Sequence, residues 1–121
     1  MPPRRRVDPA AGAQALAAWV AADGADLPRQ TTATAVRYTL EELAARAPGR
    51  SVEVRVPPFG AVQCIEGPRH TRGTPTNVVE TDAGTWLALA TGGLTWHEAE
   101  GSGAVRRSGI RADLSAHLPL L

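Results

Sequence analysis

The polar residues best suited to chemistry lie close together in one loop, between Gly67 and Pro75. This loop contains Arg69, His70 and Arg72. Arginine side chains and the exposed backbone N–H groups of a turn can hold a carboxylate or a phosphate through charge-assisted hydrogen bonds. The sequence therefore offers an anionic head-group site there. The alternative is a solvated turn whose arginines pair with neighbouring glutamates, and the arginine-rich composition favours it because such clusters then arise by chance.

The other reactive side chains give little support for catalysis or metal binding. Cys64 and His70 could form a thiol nucleophile with its base, but a cysteine within a predicted strand is usually a small buried hydrophobe. His97 and His117 have no Cys, His or carboxylate at a recognised metal-ligand spacing. A nucleophilic serine elbow, a phosphate-binding loop and a dinucleotide fingerprint are all lacking from the sequence. We therefore predict no catalytic residue, no metal and no cofactor.

Composition limits the class of protein and its partners. The 121 residues suit a mobile basic arm, 1–7, followed by a single domain, 8–121. A net charge of +1 gives no field to attract nucleic acid, and a single cysteine excludes an intrachain disulfide framework. No apolar run approaches the roughly 20 residues of a membrane-spanning helix, and the initial arginines precede no apolar signal core. We expect a cytoplasmic protein that is neither exported nor embedded in a membrane.

Two helices are predicted in the first half of the chain. Asp8 is a cap followed by proline at the first helical position, so a helix should run to about Ala22. The apolar stripe of this helix is Leu16, Trp19 and Val20. A second helix, roughly Thr32 to Ala47, has a longer stripe at helical spacing, comprising Ala33, Val36, Leu40, Leu43 and Ala47. Both stripes are expected to be core, because burial alone accounts for their periodicity.

Strands are predicted where apolar residues alternate. Ser51 to Val56 alternates three valines with charged residues, which is typical of a half-buried strand. Gly60 to Glu66 forms an antiparallel partner after a proline-rich hairpin. Further strands are predicted at Asn77 to Thr81 and Ala104 to Ser108, and a fifth could lie in the polar loop. The predicted fold class is α+β, with a two-layer arrangement in which helices cover a mixed or antiparallel sheet of four to five strands.

Short helices and a closing segment follow the third strand. Asp82 can cap a helix that Gly92 stops, and Thr95 and Glu98 have the capping-box spacing for a second helix, Trp96 to Glu100. Gly92 and Gly109 each end an element whose successor begins at once, so both are expected at positive φ or in tight space. Leu114 and Leu118 are four residues apart. They predict a short amphipathic helix in the closing segment, Asp113 to Leu121, that could act as a lid.

Within this region stand the residues Thr81-Asp82, Trp86-Leu87, Leu89, Gly92, Leu94-Thr95, Ala99, Gly103-Ala104-Val105, Ser108-Gly109 and Ala112-Asp113-Leu114. In this pattern the chain resembles the sterol carrier protein-2 superfamily, and most of all its small actinobacterial branch of sterol carrier family proteins. In that branch the resemblance extends upstream through Pro57 to Pro75. It implies a mixed sheet covered by helices, with an apolar cavity that in relatives takes lipids, sterols or acyl chains.

On the arrangement implied by this resemblance, the expected cavity lining is Val62, Ile65, Trp86, Leu89, Ala90, Leu94, Trp96, Leu114 and Leu118. The predicted function is non-catalytic binding or carrying of a hydrophobic or amphipathic small molecule between sheet and helices. The alternative is a protein-interaction or accessory module with a filled core, partnering an enzyme. Function belongs to the site and not to the scaffold, so both remain open.

Overall fold

The computed structural model describes residues 5–67 and 77–121, and it confirms the predicted α+β class. In chain order, the elements within these residues are α1 (Pro9–Ala22), α2 (Arg29–Arg46), β1 (Val52–Val56), β2 (Gly60–Cys64), β3 (Asn77–Thr81), α3 (Ala83–Thr91), α4 (Trp96–Gly101), β4 (Val105–Ser108) and a 3-10 turn (Ser115–His117). None of the described helices is both long and apolar enough to cross a membrane.

The four strands form one mixed sheet in the order β2-β1-β3-β4. β1 and β2 are the predicted antiparallel hairpin, β3 runs parallel to β1, and β4 is antiparallel to β3. Val54 lies opposite Val62 on one side and Val79 on the other. The stretch 68–75, where a fifth strand was considered, is outside the described residues.

The helices and one face of the sheet enclose a common core. The predicted stripe of α2 is buried throughout, and so are the three valines of β1. The alternate β1 residues are half-buried Glu53 and exposed Arg55, which lie on the opposite face of the sheet. Glu42 and Arg46 form the expected ion pair on the solvent side of α2, with an N–O distance of 3.2 Å. Helical spacing in α2 and alternation in β1 therefore identified the buried faces of these two elements correctly.

Helix α1 buries less than its apolar stripe predicts. Leu16 is buried and Trp19 half-buried, but Val20 is 52% exposed, so its assignment to the packed stripe is wrong. The reason is that α1 packs mainly against α2, which covers only a narrow face. At the contact, the absence of a side chain at Gly12 admits the ring of Tyr38, which a Cβ would overlap.

The closing segment is not the amphipathic helix that was predicted. Its helical part is the single 3-10 turn, and Leu118 is half-buried while Leu120 is 5% exposed. Pro119 cannot continue a helix because it lacks the N–H donor. Instead the backbone N–H of Leu120 donates to the carbonyl of Ala90 at 2.9 Å, and Arg46 donates to the carbonyl of Leu120. The segment thus satisfies a free carbonyl near the end of α3.

A buried hydrogen bond joins α2 to α3. Trp86 is fully buried, and its indole N–H donates to the hydroxyl oxygen of Thr39 at 2.8 Å. That hydroxyl in turn donates to the carbonyl of Ala35, also at 2.8 Å. The indole therefore meets its need for a partner inside the core, where an unpaired N–H would be costly.

Removal of this bond should destabilise the fold. Thr39→Val keeps the side-chain shape but leaves the buried indole N–H unpaired, so we expect a loss of about 1–3 kcal/mol in unfolding free energy. In the Trp86→Phe background the same substitution should cost much less, because no indole N–H remains to be orphaned. Urea denaturation of the four proteins measures the coupling. Simple additivity of the two substitutions would show that the bond contributes nothing.

Both glycines predicted to need special backbone conformations have them. Gly92 ends α3 with φ 85°, and Gly109 follows β4 with φ 96°. At Gly109 a Cβ would also overlap the side-chain oxygen of Asn77. That oxygen accepts a hydrogen bond from the N–H of Arg111 at 3.1 Å, and the amide nitrogen of Asn77 donates to the carbonyl of Ser51 at 2.8 Å. The turn after β4 therefore depends on close packing against the start of β3.

Substitution of Gly109 should separate crowding from backbone strain. Gly103 provides the matched control, because its φ is +78° and no atom lies within 4 Å of its hypothetical Cβ. Gly103→Ala should cost about 1 kcal/mol of strain. Gly109→Ala should cost at least about 1 kcal/mol more, because it also displaces Asn77 and its bonds. If chemical denaturation shows the same loss of unfolding free energy for both variants, the packing of Gly109 against Asn77 contributes nothing to stability.

Candidate functional site

A cleft of about 1330 Å³ lies between α2 and β2, the strand at one edge of the sheet. One wall is a stripe of α2 formed by Arg37, Leu40, Glu41 and Ala44. These positions share one helix face because they are spaced three, four and seven residues apart. The opposite wall is residues 60–63 of β2. The cleft therefore runs along the hairpin, beside the core and not inside it.

The floor of the cleft is apolar. Leu40 and Ala44 are buried, and Val62 is half-buried facing them from β2. Phe59 closes the end near the hairpin turn, and Val7 contributes from the start of the chain. Leu40 and Ala44 are each 1% exposed, so the apolar area that a hydrocarbon group could cover with release of water belongs to the half-buried Val7, Phe59 and Val62.

Residues 5–7 form a third wall and are fastened to α2. The carboxylate of Glu41 accepts hydrogen bonds from the backbone N–H groups of Arg6 and Val7, at 2.8 and 3.0 Å. Arg5 pairs with Glu42 at 2.7 Å. This part of the expected basic arm therefore lies along the cleft, and residues 1–4 are outside the described range.

The rim of the cleft is basic. Four arginines and two glutamates line it, which gives the lining a net charge of +2. The Nε of Arg37 donates to the carbonyl of Phe59 at 2.9 Å, and the Nε of Arg50 donates to the side-chain oxygen of Gln63 at 3.2 Å. Within 5–67 and 77–121, neither arginine has a carboxylate at ion-pair distance. The cleft thus combines an apolar floor with cationic groups above it.

Comparison with known proteins identifies the family. Residues 28–120 match the model of the family described as bacterial SCP ortholog. The chain belongs to this family. The match includes α2, all four described strands and the closing segment, so both main walls of the cleft lie within it. No curated protein matches the chain.

Most of the residues expected to line a cavity in this bacterial SCP family member lie in the hydrophobic core or at its margin. Buried in it are Trp86, Leu89, Ala90, Trp96 and Leu114. At its margin, partly buried, are Ile65, Leu94 and Leu118. Val62 is the member of the set that lines the cleft. The closing segment, considered as a lid, contacts α3 and Arg46, away from the cleft walls.

The head-group candidates Arg69, His70 and Arg72 are outside the described residues. Sequence reasoning did not select Arg37, Leu40 or Phe59 as site residues. Leu40 was recognised as apolar, but its spacing could indicate only burial. The sequence did contain a signal. Arg37 and Glu41 share one helix face with Leu40, and such a mixture of charged and apolar residues is typical of a helix face at the border between core and solvent.

Cys64 is a buried hydrophobe in this structure. The thiol is fully buried in β2, and burial raises its pKa from 9.0 to about 12. A thiol with this pKa stays neutral near pH 7 and is a poor nucleophile. Among the residues described, no cluster of His, Cys, Asp and Glu could hold a metal ion.

Labelling kinetics should test the state of this thiol. The pKa difference alone should lower the thiolate fraction at pH 8 by about a thousandfold relative to the unfolded chain, so native alkylation by iodoacetamide should be very slow. Above pH 9 the unfolded chain loses the proton while the fold retains it, so this group lowers stability as pH rises from 9 to about 12. Mass spectrometry of native and urea-unfolded samples measures the ratio. Fast stoichiometric labelling of the native protein would contradict the burial of Cys64.

Proposed function

We propose that this protein binds and carries an apolar or amphipathic small molecule in the cleft between α2 and β2, without catalysing a reaction. The observation that carries the proposal is the accessible apolar surface of Val7, Phe59 and Val62, next to the buried Leu40 and Ala44, in a cleft of about 1330 Å³. Small-molecule sites typically need roughly 300–1,000 Å³ and an apolar lining with a few polar groups. At about 1330 Å³ the cleft has room for such a molecule, and its lining combines apolar residues with charged ones.

Packing supports a site at the edge of the core in preference to one within it. A ligand between α2 and α3 would have to displace the fully buried Trp86 and break its bond to Thr39. A ligand between α2 and β2 displaces water from an open cleft. The second route costs far less, because close-packed interiors do not yield readily.

The character of the lining residues supports a non-catalytic role. Among its described members there is no serine, cysteine or histidine. Glu41, one of its two carboxylates, uses both oxygens to bind backbone N–H groups. Membership in the bacterial SCP family agrees with a carrier role, since the sterol carrier superfamily suggests hydrophobic ligands.

The alternative function is a protein-interaction or accessory module. Close packing of the described core favours it, because Trp86, Leu87, Leu89 and Leu114 are each at most 1% exposed there. The two functions differ in one measurable property. A carrier binds small hydrophobic molecules with saturation, and a module does not.

Blocking the cleft should abolish ligand binding. In Val62→Trp the indole should fill the cleft, and we expect at least a tenfold loss of affinity for a fluorescent fatty acid. The matched control is Val78→Trp, because Val78 is also half-buried on a strand but lies on the opposite sheet face, beside Glu53. Its affinity should stay within about twofold of the intact chain. Fluorescence titration measures both, with thermal melts to verify folding.

The panel of probes decides whether the protein is a carrier. Fatty acids, acyl thioesters and sterols should each be titrated against the intact chain. Absence of saturable binding for all three would refute the carrier function and favour the interaction module. Equal loss in the Val62 and Val78 variants would place binding outside the cleft.

A further inference from the structure

We propose that the cleft selects single-chain amphiphiles with an anionic head group, carboxylate or phosphate, and that Arg37 holds this head group at the Phe59 end. The inference rests on the proposed function and adds to it the ligand class and the residue that recognises it. It is carried by the hydrogen bonding of Arg37, by the engagement of the nearby carboxylates and by the order of apolar residues along α2.

One hydrogen bond holds the side chain of Arg37 in place and leaves its other donors for a ligand. Its Nε donates to the carbonyl of Phe59 at 2.9 Å, which anchors the guanidinium to the hairpin turn. A guanidinium has five N–H donors in a planar fork, so four remain for a ligand. The two terminal nitrogens match the paired oxygens of a carboxylate or phosphate. An arginine fixed by one edge thus presents a ready-made anion-binding group.

The acidic residues of α2 are engaged elsewhere. Glu41 lies one turn from Arg37, but its oxygens accept the N–H groups of Arg6 and Val7. Glu42 pairs with Arg5 and with Arg46. In the described part of the chain, Arg37 therefore has no carboxylate partner that a ligand would need to displace.

The two ends of the cleft differ in charge. At the Phe59 end, the guanidinium carbon of Arg29 lies 5.4 Å from the ring centroid of Phe59, so a second cation lies near this ring although it does not line the cleft. Toward the other end, Arg50 shares the lining with the carboxylate of Glu66. Glu41 also lies one turn from Arg37, but Arg29 and Arg37 outnumber this one carboxylate, whereas Arg50 is balanced by Glu66, so an anion is attracted to the Phe59 end.

The apolar residues lead away from Arg37 in one direction. Leu40 and Ala44 follow it on the same face of α2, about 4.5 and 10.5 Å further along the helix axis at 1.5 Å per residue. Val62 lies across the cleft on β2. Leu40 and Ala44 are each 1% exposed, so an acyl chain attached to a head group at Arg37 would lie on the half-buried Val7 and Val62, which line the same cleft.

Paired ligands that differ only in head-group charge test the selection. The probes are a fluorescent C18 fatty acid and its methyl ester, with lysophosphatidic acid and monoacylglycerol as competitors. The intact chain should bind the acid at least tenfold more tightly than the ester, and lysophosphatidic acid should compete better than monoacylglycerol. The carboxylate and phosphate pairs together show which anionic head is preferred.

Variants then test the residue. Arg37→Gln should lower the affinity for the acid at least tenfold and change the affinity for the ester by no more than about twofold. Arg37→Lys should keep part of the preference for the acid over the ester, because lysine retains the charge but lacks the planar fork of donors. The control is Arg55→Gln, since Arg55 is exposed on the opposite sheet face and should affect neither probe. Thermal melts show whether each variant is folded.

The outcomes separate this inference from the proposed function. If the intact chain binds acid and ester equally, head-group selection is wrong and the carrier function stands. If no probe binds, the proposed function fails. If Arg37→Gln lowers the affinity for both probes equally, Arg37 only stabilises the hairpin, and the proposed recognition of the head group is wrong. Should Arg37→Gln not fold, the acid-to-ester ratios of the intact chain and of Arg37→Lys decide the question.

Discussion

The hydrogen bond from the indole of Trp86 to Thr39 joins the two helices on which the rest of the structure depends. Thr39 lies on the face of α2 that is buried in the core, so the bond fixes the rotation of α2 about its axis. That rotation turns Val36 and Leu43 inward. It leaves Arg37 and Glu41 at the border with solvent, next to the buried Leu40 and Ala44. The position of the cleft wall is therefore a consequence of how the core is packed.

Under the proposed function, a ligand would bind at the edge of the core, whereas the centre of the core stabilises the fold. Trp86 and its neighbours hold the helices on the sheet, while Leu40 and Val62 take part both in packing and in the cleft floor. A ligand could therefore enter and leave without opening the core. The cleft wall formed by residues 5–7 is held by only a few polar bonds, which makes it the part most easily rearranged around a ligand.

Electrostatic pairing gives the cleft its polarity. The two glutamates of α2 bind backbone N–H groups and other arginines, and Arg37 is left with a backbone carbonyl. Because a carbonyl does not neutralise a guanidinium, the charge remains available at the rim. In the polar loop, the arginine-rich composition alone does not indicate a binding site. In the cleft, the hydrogen-bond partners of Arg37 show which of its donors are engaged.

Local signals in the sequence were sufficient for most of the elements. The caps at Asp8, Asp82 and Thr95, the alternation of β1 and the stripe of α2 depend on residues a few positions apart, and all are present in the structure. The positive φ of Gly92 and Gly109 follows for the same reason, and the family resemblance implied the same kind of fold, a mixed sheet covered by helices.

Only the tertiary structure decided which faces meet. The parallel pairing of β1 with β3, the exposure of Val20 and the path of the closing segment depend on elements distant in sequence. The cleft depends on them too, since Arg37 and Phe59 become neighbours only when the hairpin packs beside α2. Periodicity marks a residue as apolar or polar, but it carries no information about the partner against which that residue will pack.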